Sequence, residues 1–385
     1  MRIYRINIRP IIVNLLVLCS LWTFGSCAKP RLDMNPQQVQ SVAYTGAVNY
    51  GRQNYIPLTI PLPLKKTDDR SLKGLPTANL LQVNGHLFFS TQNGYLYLMQ
   101  ASDIYEETNT RISKGGQACP TLYRLKLFIP SEEERTGLYV YNLKEGNIEW
   151  QLEGQPSLAS PVVNDSAIFH AGIHGDIFSL NTETGEMYWH TNIGENLRAS
   201  LAFGKGRLYA GGDEGTLRCI NPTDGSLIWD RPLNAALSGS PVFCRDRLLA
   251  ATYTGTVYSI DYLNGDILNS MSFDVPLYTQ ASTDGRIIVI PLSDGRIQAY
   301  RFENLNPLWS ADIPGPAGAP ALITDNCIMV GTTRKHFTIL DRNDGRIIQD
   351  FELEGRPRST ALVFGNKVFL SYEYKNLIVY ASEKD

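Results

Sequence analysis

The chain has 385 residues, of which 43% are hydrophobic and 19% charged, and its formal net charge is −3. That length holds one large all-β domain or two ordinary ones. The mildly acidic balance excludes general nucleic-acid binding, which needs a basic surface to neutralise phosphates.

The first element in chain order is an export signal. "MRIYRINIRP" carries Arg2, Arg5 and Arg9 and no acid, the mostly apolar run "IIVNLLVLCSLWTF" follows, and "GSC" sets small residues before Cys27. This order of basic, apolar and small-residue regions is that of a signal peptide, too short for a comfortable membrane span. Small residues directly before a cysteine resemble the lipobox of bacterial lipoproteins. The resemblance implies removal of residues 1–26 and a lipid on Cys27 as the first mature residue. Phe24 stands where lipoboxes prefer leucine, so simple cleavage and an uncleaved anchor stay open as alternatives. Residues 27–54, with "NPQQVQ" and "TGAVNYGRQ", read as a tether.

From residue 55 onward the organisation is a repeat. One glycine series falls at Gly146, Gly185, Gly225, Gly265 and Gly345, with Leu305 in the missing slot, at steps of 39 and then 40 residues. Four positions later stand Trp150, Trp189, Trp229, Asn269, Trp309 and Gln349. A second series runs Gly94, Gly137, Gly175, Gly215, Gly255, Gly295, Lys335 and Lys375. A third opens each unit at Pro161, Leu201, Pro241, Ala281, Ala321 and Ala361.

Inside one unit, "PVV", "AIFHAGI", "DIFSLN" and "EMYWHTN" are short, rich in branched and aromatic residues, and divided by Asn-Asp-Ser, His-Gly-Asp and Glu-Thr-Gly turns. Four antiparallel strands per 40 residues make a propeller blade, and the second glycine series counts eight of them. The expected fold is therefore an all-β, eight-bladed propeller over residues 55–385. The last unit ends without its fourth strand, and an open seam is a liability. "YIPLTIPLPL", residues 55–64, is expected to close the ring, because Pro57, Pro61 and Pro63 suit an outermost strand whose missing N–H groups face solvent.

The remaining chemistry-bearing residues form no familiar site. Cys119, Cys219, Cys244 and Cys327 sit in apolar strand-like runs and read as buried free thiols. A disulfide is permitted in an exported chain, but no paired spacing suggests one or a zinc site. His170 and His174 are four apart on a strand and turn, with no third ligand nearby in the sequence. No metal ligand set, cofactor loop or catalytic motif stands out. "TTRKHF" at 332–337 offers a basic loop tip.

The stretches "LNTETGEMYW", "INPTDGSLIW" and "LDRNDGRIIQ" resemble the repeat of the pyrroloquinoline-quinone-type propellers. That resemblance spans roughly residues 75–381 and implies that Trp150, Trp189, Trp229 and Trp309 pack between blades against the glycine turns. Two readings follow. A quinoprotein dehydrogenase would hold a quinone and calcium near the axis, usually with an adjacent-cysteine disulfide; no two cysteines are adjacent here. The lipobox-like start, tether and eight blades together are similar to the BamB-like lipoproteins of outer-membrane β-barrel assembly.

Membership there implies a non-enzymatic scaffold with no cofactor, anchored by lipid at the periplasmic face of the outer membrane. It would dock a barrel-assembly subunit and unfolded barrel clients. That family contacts its partner through a Leu-Arg loop, and "GENLRAS" offers Leu197 and Arg198 at the matching junction. Aligned junctions carry Leu158, Ser238, Tyr278 and Arg358 beside Arg198, so the blade pattern does not require the arginine. The family's acidic insertion in the next blade is absent from "NAALSGSPVF". A generic secreted interaction propeller is the third reading.

Overall fold

A computed structural model describes residues 29–39, 44–77, 79–165 and 167–382. The expected export signal and Cys27 lie outside the described residues. Eight four-stranded antiparallel sheets follow one another in sequence. Blades 1 to 7 run Leu81–Arg111, Thr121–Glu153, Val162–Asn192, Ala202–Pro232, Val242–Ser272, Ser282–Asp312 and Leu322–Glu352. Blade 8 combines three C-terminal strands within Leu362–Ser382 with one strand from the N-terminal side. In blades 1 to 7 the first strand is innermost and the fourth outermost, and in blade 8 the N-terminal strand takes the outermost place. The connections between blades and the turns between second and third strands then share one end of the ring, here the upper face. The other turns lie on the lower face.

The ring is closed by an N-terminal strand, as expected, but the strand is Leu64–Ser71, not residues 55–64. It pairs antiparallel with Asn376–Ser382, from Leu64 opposite Ser382 to Ser71 opposite Asn376. Its sequence, "LKKTDDRS", is charged almost throughout, which suits an edge that must not recruit further strands. The proline-rich segment does other work. It leaves the axis beneath blade 7, where Asp325 N–H donates to Leu58 O (3.0 Å). The Asn326 side chain exchanges two hydrogen bonds with the Ile60 backbone, each 2.9 Å. Gln349 then clamps the Leu64 peptide at 2.7 and 3.0 Å. Prolines suit this path because a chain crossing under a blade needs few donors.

The tryptophan series, which marks off the blades like a ruler, is structural. The turn glycines hold φ between 70° and 75°, a region that side chains resist. Each tryptophan lies on the turn glycine of the next blade. A Cβ on Gly265 would come within 2.6 Å of the Trp229 ring, and one on Gly185 within 2.8 Å of Trp150. The indole N–H donates to a carbonyl of the same turn, from Trp189 to Pro222 O (2.9 Å) and from Trp309 to Arg342 O (3.0 Å). Where the ruler breaks, both partners change together: Asn269 replaces tryptophan in blade 5 and Leu305 replaces glycine in blade 6. The pairing then reduces to Asn269 Nδ2 donating to Asn304 O (3.4 Å). At Gly146 the preceding blade has no tryptophan, and the Arg31 side chain lies there instead.

The stretch expected as a tether is, in its described part, packed on and inside the ring. Leu32 N–H donates to Leu143 O (2.9 Å) and Tyr141 Oη to Pro30 O (3.0 Å). Residues 44–56 then run around the inner wall of the ring. The inward edges of the innermost strands donate to them blade by blade: Leu122 to Tyr44 O, Phe203 to Tyr50 O, Phe243 to Gly51 O, Thr283 to Gln53 O and Ile323 to Asn54 O, all 2.7 to 2.9 Å. Inner strands have an unpaired edge at the axis, and this plug satisfies part of it in five of the eight blades.

Candidate functional site: the axial funnel and its rim

The upper mouth of the ring is a cavity of about 300 Å3. Three successive columns of the 40-residue repeat build its wall. Arg198, Ser238, Tyr278, Gly318 and Arg358 form the outermost column, and Ala199, Gly239, Thr279 and Ala319 the next. Ser160, Ser200, Ser240, Gln280 and Pro320 lie deepest. The deepest column is a belt between blades. Ser160 N–H donates to Ser200 Oγ (2.9 Å), Ser200 N–H to Ser240 Oγ (3.1 Å) and Ser240 N–H to Gln280 Oε1 (3.2 Å).

The plug forms the floor, through Gly46, Ala47, Arg52 and Asn54. Arg52 is its hub and is 1% exposed. Its guanidinium donates to Leu201 O (2.8 Å), Gly46 O (2.7 Å), Ser160 O (2.8 Å) and Thr45 Oγ1 (3.1 Å). Every one of these acceptors is neutral. Burial pushes the Arg52 pKa down to about 10, so the group stays cationic at neutral pH. Gln280 Nε2 donates back to Arg52 O (2.8 Å), which ties the plug to the belt. Ala47, Val48, Arg52 and Asn54 all hold positive φ, from 53° to 76°. Such a tight coil persists only because the ring over-determines it.

Leu197 and Arg198, expected together at a partner surface, are separated by the fold. Leu197 is 0% exposed and packs with Ala159, Ala171 and Leu201. It occupies a core column with Leu277 (0%) and Ala317 (7%), because the apolar residue entering each junction fills the gap between neighbouring blades. It therefore offers no apolar surface. Arg198 does reach solvent, with a side chain 71% exposed, and pairs with Asp213 at 2.9 Å. A pair so exposed is worth little, so the guanidinium is free to choose another partner. Across the mouth, Arg358 pairs with Glu373 at 2.7 Å.

Sequence reasoning missed three features. The plug was one. The buried Glu195, which pairs with Arg218 and accepts from Glu214 N–H (2.6 Å), was another. The third was the serine belt, for which a signal existed: Ser160, Ser200 and Ser240 stand one residue before the third repeat series. The four described cysteines are buried free thiols, and burial pushes Cys219, Cys244 and Cys327 up to about 11. Among the described residues, no group of three or more His, Cys, Asp or Glu could hold a metal ion. A quinone with calcium needs converging carboxylate and carbonyl oxygens. The funnel wall carries no acid and three arginines, so the residues present do not fit that group.

His170 is also a core residue. It is 0% exposed, its Nε2 lies 3.2 Å from Gln155 O, and burial pushes its pKa down to about 4. The unfolded chain binds this proton at about pH 6.5 and the folded chain only near 4, so stability is full above 6.5 and falls as pH drops through that window. The expected loss is about 3 kcal/mol at most. His170→Gln should flatten urea midpoints measured between pH 7 and 4; an unchanged pH slope would remove His170 as its source.

A family model described as outer membrane protein assembly factor BamB matches residues 66–200 and 173–384. A search of curated proteins finds no match. Among solved structures, BamB from Moraxella catarrhalis is similar, with a TM-score of 0.67 at 16% identity over 84% of this chain and 99% of that one. A computationally designed protein, Ika8, gives 0.68 at 15% identity over 81% and 98%. Quinohemoprotein alcohol dehydrogenase from Comamonas testosteroni gives 0.76 at 11% identity over 89% and 80%. At these identities the structures share the propeller fold and no more.

Proposed function

This chain belongs to the family of outer membrane protein assembly factor BamB, and from that we propose a non-enzymatic role as an exported scaffold lipoprotein of outer-membrane β-barrel assembly. Lipid on Cys27 would hold it at the periplasmic face. The upper rim would dock a partner subunit of the assembly machinery, with Arg198 as a contact. The observation that carries this reading is the exposed Arg198, at a position that the repeat leaves free to vary, beside the fully buried Leu197. Exposed arginines at a rim are typical anchors for a complementary acidic or carbonyl-rich surface.

The outermost strands support a second contact, with extended client chains. They are open edges, and they expose apolar pairs at one register in successive blades. Met187 and Tyr188 are 57% and 50% exposed, and Leu227 and Ile228 are 55% and 42%. An edge of this kind can accept an added strand.

The test is recovery of partners from detergent-solubilised envelopes. The unmodified protein should retrieve a barrel-assembly subunit, and Arg198→Glu should lose most of it without a change in thermal stability. Recovery without any assembly subunit would count against the reading. The shared fold keeps a quinoprotein dehydrogenase as the alternative, although the acid-free funnel argues against it. Dye reduction after addition of quinone, calcium and an alcohol would decide for the enzyme.

A further inference from the structure

We propose that the axial funnel binds a small multivalent oxyanion, a molecule carrying two or more carboxylate or phosphate groups, between Arg52 on its floor and Arg198 and Arg358 on its rim. The first ground is charge. The lining holds three arginines and neither aspartate nor glutamate, in a chain whose formal net charge is −3. An acid-free, cationic recess with protein walls concentrates anions.

The second ground is unmet bonding. Asn54 is 0% exposed and faces the cavity, yet its Oδ1 and Nδ2 both lack partners. Buried amides are nearly always satisfied, so an orphan at a cavity floor marks a missing ligand atom. Arg52 lies beside it, with its charge balanced by no carboxylate among its four partners. A buried cation left without a counter-charge is costly unless an anion reaches it. Above them Ser200 and Ser240 accept backbone N–H groups, and their own hydroxyl hydrogens have no acceptor among the described residues. The floor and belt thus present spare donors on several sides of one space.

The third ground is the placement of the rim arginines. They stand four 40-residue repeats apart in a ring of eight, so they face each other across the mouth. In their pairs with Asp213 and Glu373 the arginine side chains are 71% and 52% exposed, and such pairs are weak enough to exchange for a ligand oxygen. One charge below and two opposite above fit a multivalent anion better than a single carboxylate. A volume of about 300 Å3 admits a molecule of citrate size and lies at the small end of ligand pockets.

Titration calorimetry of the folded protein with citrate and with pyrophosphate, at constant ionic strength, tests this. Saturable one-to-one binding tighter than about 1 mM is expected for at least one of them, and the preferred one identifies carboxylate or phosphate as the source chemistry. The double variant Arg198→Ala/Arg358→Ala should weaken it at least about tenfold. Arg286→Ala/Arg346→Ala, the same charge change on the lower face, should leave it intact. Asn54→Asp should abolish it; should that variant fail to fold, the exposed rim pair still decides. No saturable binding of either anion, or binding indifferent to the rim pair, overturns the proposal. Binding without partner recovery would sink the docking role alone, and the converse would sink the funnel site alone.

Discussion

A chain that begins at Leu64 is expected to fold, and a chain that begins at Leu72 is not. The first loses the plug but keeps the closing strand. Its cost is the burial of Val48, Ile56 and Ile60, which are 8%, 0% and 1% exposed, or on the order of 5 kcal/mol. The inner-strand N–H groups at Leu122, Phe203, Phe243, Thr283 and Ile323 would then turn to water in an open channel. The second truncation also removes the strand that covers Asn376–Ser382. Leu377, Ile378, Val379 and Tyr380 are at most 3% exposed in the closed ring. Without Leu64–Ser71 they would border an unpaired edge, and nothing would tie the two ends of the ring together. Size-exclusion chromatography and thermal unfolding separate the outcomes. The Leu64 chain should be monodisperse with a lowered Tm, and the Leu72 chain aggregated. Equal Tm values for the two would show that closure depends on something other than this strand.

The difference between these truncations marks how far the sequence was legible. The period, the blade count and the tryptophan-on-glycine contact all come from residues that repeat, because every blade solves the same packing problem. The sequence points to the proline-bearing segment 55–64 as the closing strand, on the ground that prolines suit an outermost edge. "LKKTDDRS" escaped because an outermost strand needs charge on its free edge. The prolines of residues 55–64 fit an edge strand on paper, but their segment crosses the lower face on side-chain amides from Asn326 and Gln349. That Gln349 stands where a tryptophan was due was a visible break in the ruler, and it lies where the ring closes. The plug had no periodic signal at all. Its bonds go to blades far away in sequence, and its positive-φ turns look like coil. The burial of Leu197 was legible: Leu237, Leu277 and Ala317 share its column, and a column that is apolar at most junctions is core.

Replacing Arg52 by methionine should cost about 3–5 kcal/mol of unfolding free energy, because its guanidinium is almost wholly buried among its acceptors. Two effects compete. Removing a buried cation relieves the penalty of keeping it from water, which alone would stabilise the fold. Against that, methionine leaves Leu201 O, Gly46 O, Ser160 O and Thr45 Oγ1 without their donor. Each buried acceptor so abandoned costs about 1–3 kcal/mol. Thr45 has a second partner, Thr121 Oγ1 at 2.8 Å, which softens its share. The three carbonyls carry the remainder, and they belong to the plug and to the junctions that enter blades 3 and 4. Arg52→Lys is expected to cost about half as much, because an ammonium keeps the charge but cannot span three carbonyls in one plane. Urea midpoints for the three proteins measure the ranking. A methionine variant as stable as the parent would mean that desolvation of the guanidinium already cancels its four bonds. The plug would then be held by Ile56, Ile60 and its backbone ladder alone, and the arginine would be kept for its charge at the funnel floor.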